Sequence, residues 1–135
     1  MIYVTRRVTF SASHRLFNPQ LSDKENEVLF DKCANKNGHG HNYILEVTVA
    51  GEPQERTSYV VDLKKLKEIL KSEIIDKVDH RHLNEDVDFM KGIIPTAENI
   101  AKIFWKILQP KIPAGKLFSI RLHETENNTV EYRGE

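Results

Sequence analysis

The chain has 135 residues, 39% apolar and 30% charged, and its 20 Lys plus Arg balance its 20 Asp plus Glu. That length suits one domain, residues 1–135, and zero net charge gives no global reason to bind nucleic acid or an acidic membrane surface. The one cysteine, Cys33, excludes an internal disulfide framework, and no apolar run approaches the ~20 residues a membrane helix needs.

Ile2, Val4, Val8 and Phe10 fall on alternate positions, interrupted by Arg6, and predict a first strand over about Ile2 to Ser13. This stretch has no apolar core of the secretory kind, so a cytoplasmic protein is expected. Residues 17–40 are polar and rich in turn formers, and read as a long loop of the functional sort. Tyr43, Leu45, Val47 and Val49 alternate up to Gly51 and predict a second strand, antiparallel to the first. Tyr59 to Val61 is a short extended run. Asp62 suits a helix N-cap, followed by Leu63, Leu66, Ile69, Leu70, Ile74 and Val78 at helical spacing. Residues 79–95 read as a second polar loop. Thr96 caps a second helix whose stripe is Ile100, Ile103, Phe104, Ile107 and Leu108, ended by Pro110 and Pro113. Residues 117–123 alternate as a third strand, Asn127-Asn128 marks a turn, and Val130 to Arg133 form a fourth strand. The expected class is α+β: a four-stranded antiparallel sheet with two helices on one face. Such a sheet has open edges, which a barrel closed with other subunits removes.

His39-Gly40-His41 is the sharpest local signal. Residues i and i+2 of a strand point to one face, so both imidazoles can reach one metal ion, with Gly40 keeping the opposite face small. His14, just past the first strand, joins them if the two strands pair. Three imidazoles and an open fourth position make a catalytic zinc pattern; the bland alternative is three unrelated histidines. Cys33 has three readings: a fourth ligand closing a structural site, an inert buried thiol, or a catalytic thiolate. Asp79 beside His80 can orient it and raise its basicity if a turn brings the side chains together; otherwise the pair is a solvated loop, with His82 a competing candidate. Glu124 at the end of the third strand can accept two hydrogen bonds from a guanidine-like edge such as that of a pterin, or is merely an exposed strand-end acid.

Five blocks carry a family resemblance: F-S-A-S-H-R-L at 10–16, C-A-N-K-N-G-H-G-H-N-Y at 33–43, V-D-H-R-H-L-N at 78–84, P-T-A-E-N at 95–99 and H-E-T-E-N-N at 123–128. In this order, over essentially the whole chain, they resemble the 6-pyruvoyl-tetrahydropterin synthase family. The resemblance implies zinc held by His14, His39 and His41, a catalytic Cys33 acting with Asp79 and His80 in proton transfer, Glu124 anchoring the pterin ring, and Thr96 and Glu98 lining its pocket. It implies the tunnelling fold, in which trimers close a twelve-stranded barrel and pair into a homo-hexamer with sites at subunit interfaces. The implied substrate is a pterin triphosphate, 7,8-dihydroneopterin triphosphate, converted with loss of triphosphate and without an external redox cofactor. Arg15 and nearby lysines are candidates for the phosphates on charge alone. Two positions depart from the family pattern: Ala97, where a second threonine is frequent, and His123, where tyrosine is frequent.

Two rivals are separable. 6-Carboxytetrahydropterin synthase of queuosine biosynthesis shares the histidines, cysteine and pterin anchor but usually has three residues between cysteine and H-G-H. Here there are five, Ala34 to Gly38, as in the pyruvoyl-forming type. A non-catalytic zinc-stabilised binding module is the other, and requires Cys33 in the metal's coordination shell.

Overall fold

The computed structural model describes all residues, 1–135. The two longest strands are β1 (Ile2–His14) and β2 (His39–Gly51), paired antiparallel along their whole length from Ile2↔Gly51 to His14↔His39. β4 (Lys116–His123) pairs with the far side of β2, and β5 (Thr129–Tyr132) returns along β4. A two-residue strand, β3 (Arg81–His82), lies parallel to β1 at Ala12 and Ser13, giving the order β3-β1-β2-β4-β5. The sheet is therefore five-stranded and mixed, where the sequence predicts four antiparallel strands. The extra strand is too short to alternate; backbone bonds to the β1 edge hold it, with the Leu83 N–H donating to the Ser13 carbonyl at 2.8 Å.

The predicted long loop also contains a helix, α1 (Asp23–Phe30). Its N-terminus is a reciprocal cap: the Glu25 N–H donates to Ser22 Oγ at 3.1 Å, and the Ser22 N–H donates to Glu25 Oε1 at 3.3 Å. Its buried residue is polar. Asn26 accepts from the Asn18 N–H at 2.6 Å and donates to the Asn18 carbonyl at 2.9 Å, tying the helix to the chain leaving β1. A helix anchored by an asparagine leaves Val28 and Leu29 exposed and shows no apolar stripe, so periodicity misses it.

The other two helices follow the sequence. α2 begins at Leu63–Leu70, capped by Asp62, which accepts from the Lys64 N–H at 2.9 Å. It continues without a break through a π turn, Lys71–Ile75, and a last α turn, Asp76–Val78. α3 (Ala97–Leu108) is capped by Thr96. Both pack on one face of the sheet: Leu66, Leu70, Ile74 and Val78 from α2, and Ile100, Phe104 and Leu108 from α3, share a single apolar core with Phe10, Tyr43, Leu45, Val47, Ile120 and Leu122. The Tyr59–Val61 run is not a strand, but Val60 and Val61 are buried in that core. No helix is long and apolar enough to cross a membrane.

Candidate active site

The β1–β2 register places His14 directly opposite His39, on the helix-covered face, with His41 and Tyr43 following on alternate positions of β2. His14 is the last residue of β1 and is fully buried. Its Nδ1–H donates to the Pro95 carbonyl at 2.8 Å, which leaves Nε2 with a free lone pair. That Nε2 lies 3.1 Å from His39 Nε2, and the three ligand nitrogens of His14, His39 and His41 all lie within 4.8 Å of one another. Two nitrogens on one tetrahedral zinc stand about 3.3 Å apart, so the spacing suits that ion. His41 Nε2 is buried with no hydrogen-bond partner, an orphan that a cation satisfies. Gly38 is required just before this run: at φ 72° a Cβ would meet the His14 carbonyl oxygen at 2.8 Å.

The electrostatics favour ligand-ready imidazoles. Burial, reinforced by His39 and His41, pushes the His14 pKa down to about 4, although the Pro95 carbonyl opposes the shift. Burial also lowers the pKa of His41, against the pull of Glu124. Both are neutral at pH 7, the form that binds metal. A histidine whose folded pKa lies below its unfolded value stabilises the fold fully above about pH 6.5 and loses that contribution as pH falls to about 4. For His14 this amounts to about 3 kcal/mol. We expect the metal-free protein's urea midpoint to fall between pH 6.5 and 4, and a His14→Asn variant to show a flatter profile over that window.

Glu124 links the cluster to a cavity. Its Oε1 lies 3.9 Å from His41 Nε2. With Thr96, Glu98, Leu16, Phe30 and the 127–130 turn it lines a space of about 470 Å³. Thr96 Oγ1 accepts from the Asn99 N–H at 3.2 Å, leaving its own O–H free to donate into that space. Pro95 and Thr96 thus serve both sides, the first orienting His14 and the second opening the cavity. The turn is fixed by Thr125 Oγ1, which accepts from the Asn127 and Asn128 N–H groups, both at 3.1 Å.

Cys33 stands in a short 3₁₀ turn, Asp31–Ala34, half-buried, and is not among the clustered metal-ligating atoms. Its carbonyl accepts from the Leu16 N–H at 2.8 Å, which puts this turn against the wall of the Glu124 cavity. Asp79 and His80 do meet: Asp79 Oδ2 is 3.1 Å from His80 Nδ1, made possible by a left-handed φ of 61° at His80. Asp79 Oδ1 accepts from the Ser11 N–H at 2.9 Å, and this bond, with His80 beside it, holds the carboxyl below the usual carboxylate range. The pair is not among the clustered metal-ligating atoms, although His80 lines a cavity of about 340 Å³ that His41 also borders. The pair also lines a cavity of about 590 Å³ with Ser11, Asn42, Ile44 and His123, positions that alternate with the cluster and present to the other face of the sheet.

Three residues escape the sequence reading. Tyr43 places its hydroxyl 3.4 Å from His14 Nδ1, and burial raises its pKa, so it stays a neutral wall of the cluster. Its signal is its spacing, two residues past His41. Pro95 acts only through its carbonyl and has no side-chain signal. Asn84 donates to the Arg15 carbonyl at 2.9 Å and accepts from the Arg15 N–H at 2.8 Å, fixing the chain just after His14.

The profile of the family described as 6-pyruvoyl tetrahydropterin synthase matches residues 3–135. The human protein named 6-pyruvoyl tetrahydrobiopterin synthase is 46% identical over 132 residues, covering 98% of this chain and 91% of its own length. A solved structure of Caenorhabditis elegans 6-pyruvoyl tetrahydropterin synthase superposes with a TM-score of 0.93 at 40% identity, covering 99% of this chain and 96% of that one. A Rickettsia bellii protein named 6-carboxy-5,6,7,8-tetrahydropterin synthase is 31% identical over 150 residues, covering 97% of this chain and 99% of its own length.

Proposed function

Because this chain belongs to the 6-pyruvoyl tetrahydropterin synthase family, we propose that it is a single-domain lyase of tetrahydrobiopterin-type biosynthesis that converts 7,8-dihydroneopterin triphosphate to 6-pyruvoyl-tetrahydropterin and eliminates triphosphate. The observation that carries this reading is the greater similarity to the pyruvoyl-forming relatives than to the carboxy-forming one. The five residues between Cys33 and His39 support it.

His14, His39 and His41 would hold a zinc ion. Bound there, the ion supplies Lewis acidity, lowering the pKa of hydroxyls on the substrate side chain. Glu124 accepts from the ring N3–H and 2-amino group, with Thr96 and Glu98 beside it in the same cavity, so the ring is anchored next to the metal. Cys33 as thiolate takes a proton from the side chain, and His80, oriented by Asp79, is the partner acid or base. Side-chain oxidation offsets ring reduction, so no external redox cofactor takes part. The position of Asp79 and His80 on the other face of the sheet supports their serving the site of a neighbouring subunit, within a cytoplasmic homo-hexamer built of two trimers.

The test is product analysis. Zinc-loaded protein and 7,8-dihydroneopterin triphosphate are expected to give triphosphate without acetaldehyde, since the side-chain carbons are retained. Acetaldehyde in step with triphosphate selects the carboxy-forming reaction, the reading that the Rickettsia relative favours. Neither product rejects both.

A further inference from the structure

β4 ends on His123, and the next residue, Glu124, carries its carboxylate to the helix-covered side, 3.9 Å from His41 Nε2. On the opposite face the register sets His123 between Ile44 of β2 and Thr129 of β5. Both of its ring nitrogens are engaged there. Nε2 pairs with the carboxylate of Glu46, two residues along β2 from Ile44 and within diagonal reach, and Nδ1 lies 2.9 Å from Thr129 Oγ1. With the Nε2 proton donated to Glu46, Nδ1 is left to accept from the Thr129 hydroxyl. Glu46 takes this partner although Arg7 and Arg121 flank it in register on β1 and β4. The two side chains are only 24% and 26% exposed, so water screens the pair less than it would a surface one.

We infer that His123 is a positioning residue for Glu124, clamping β2, β4 and β5 together at the strand end from which that carboxylate projects. This deepens the proposed function and rests on its assignment of Glu124 as the pterin anchor. His123 also lines the cavity of Asp79 and His80, but with both nitrogens taken it is not free to move a proton there. The turn beyond it is fixed locally: the Glu124 N–H donates to the Asn128 carbonyl at 3.0 Å, and Thr125 Oγ1 accepts from the Asn127 and Asn128 N–H groups. Those bonds set the shape of the turn and not its place on the sheet. The side-chain hydrogen bond that ties residues 123–129 to β2 is the one from His123 to Glu46. A carboxylate that accepts two parallel hydrogen bonds must lie in the plane of the edge it binds, so freedom at this hairpin weakens pterin binding more than it weakens the fold.

The test is binding of 7,8-dihydroneopterin, without its triphosphate, to zinc-loaded protein, followed by fluorescence. The parent is expected to bind saturably and His123→Phe about tenfold more weakly, a loss on the scale of one hydrogen bond. That variant leaves Glu46 beside Arg7 and Arg121, so no charge is stranded. His123→Gln, whose amide nitrogen can still donate to Glu46, is expected to stay within about threefold of the parent. Zinc affinity is expected to be unchanged in both, because His123 is outside the histidine cluster, and the Glu124 amide is expected to exchange faster in His123→Phe alone. Circular dichroism checks folding, and Glu46→Met, at a position that lines neither cavity, repeats the test if His123→Phe does not fold. Pterin binding as tight in these variants as in the parent overturns the role of His123 and leaves the proposed function standing. Equal weakening in His123→Phe and His123→Gln with zinc affinity lost as well overturns it too, as a general disruption. No pterin binding by the parent rejects the proposed function itself, and the role of His123 with it.

Discussion

Cys33→Ala is expected to lower turnover by about 10²–10⁴-fold, the range a positioned proton-transfer group contributes, while the protein still binds zinc and pterin. The separation follows from the geometry. Cys33 is not part of the histidine cluster, so its loss removes no clustered ligand. Its structural contribution is its carbonyl, which accepts from the Leu16 N–H and survives the substitution. The thiol is half-buried in a short turn, so truncating it leaves no core cavity. Metal content by mass spectrometry and pterin binding by fluorescence, measured alongside turnover, check the expectation. Normal turnover would remove Cys33 from the chemistry. Loss of zinc instead would make it a ligand and favour a structural centre.

His39→Ala is expected to weaken zinc binding by more than about a hundredfold, since altering even an outer partner of a metal ligand costs ten to a hundredfold, and turnover falls with it. His39 is the right ligand to remove. It is only half-buried and its side-chain partner is His14 Nε2, whereas His14 itself is fully buried and bonded to Pro95. The variant therefore keeps the core and the β1–β2 ladder. Competition against a chromophoric chelator gives the affinity, and the urea midpoint of the metal-free protein, expected to stay within about 1 kcal/mol of the parent, separates ligand loss from unfolding. Undiminished affinity would mean that the metal, if bound, sits elsewhere.

Much of this arrangement is legible in the sequence because it depends on strand parity. His39 and His41 share a face by their spacing, and His14 joins them once β1 and β2 pair in the observed register. The caps at Asp62 and Thr96 and the stripes behind them are local signals, and the helices form where those signals predict. The misses share a different cause. α1 is held by the polar side chain of Asn26 and offers no apolar stripe. β3 has two residues, below the length at which alternation means anything. The face on which Asp79 and His80 lie could not be read because His80 has a left-handed backbone, and parity is undefined outside a strand.

The π turn in α2 bears on how the chain tolerates changes of length. Leu66, Leu70, Ile74 and Val78, all fully buried, repeat every four residues. On a 3.6-residue helix that repeat drifts about 40° per step, or about 120° over three steps. The wider turn at Lys71–Ile75 offsets this drift and keeps Val78 on the core side. The Asp79 N–H then closes the helix on the Ile75 carbonyl at 2.9 Å, and its carboxylate meets the Ser11 N–H. The placement of His80 is thus indexed to the count of residues from Leu63 onward, not to the connection before it. Residues 52–59 are exposed and can be lengthened or trimmed, leaving the Asp79–His80 pair in place. One residue inserted or deleted within 63–78 shifts that pair by a helical step.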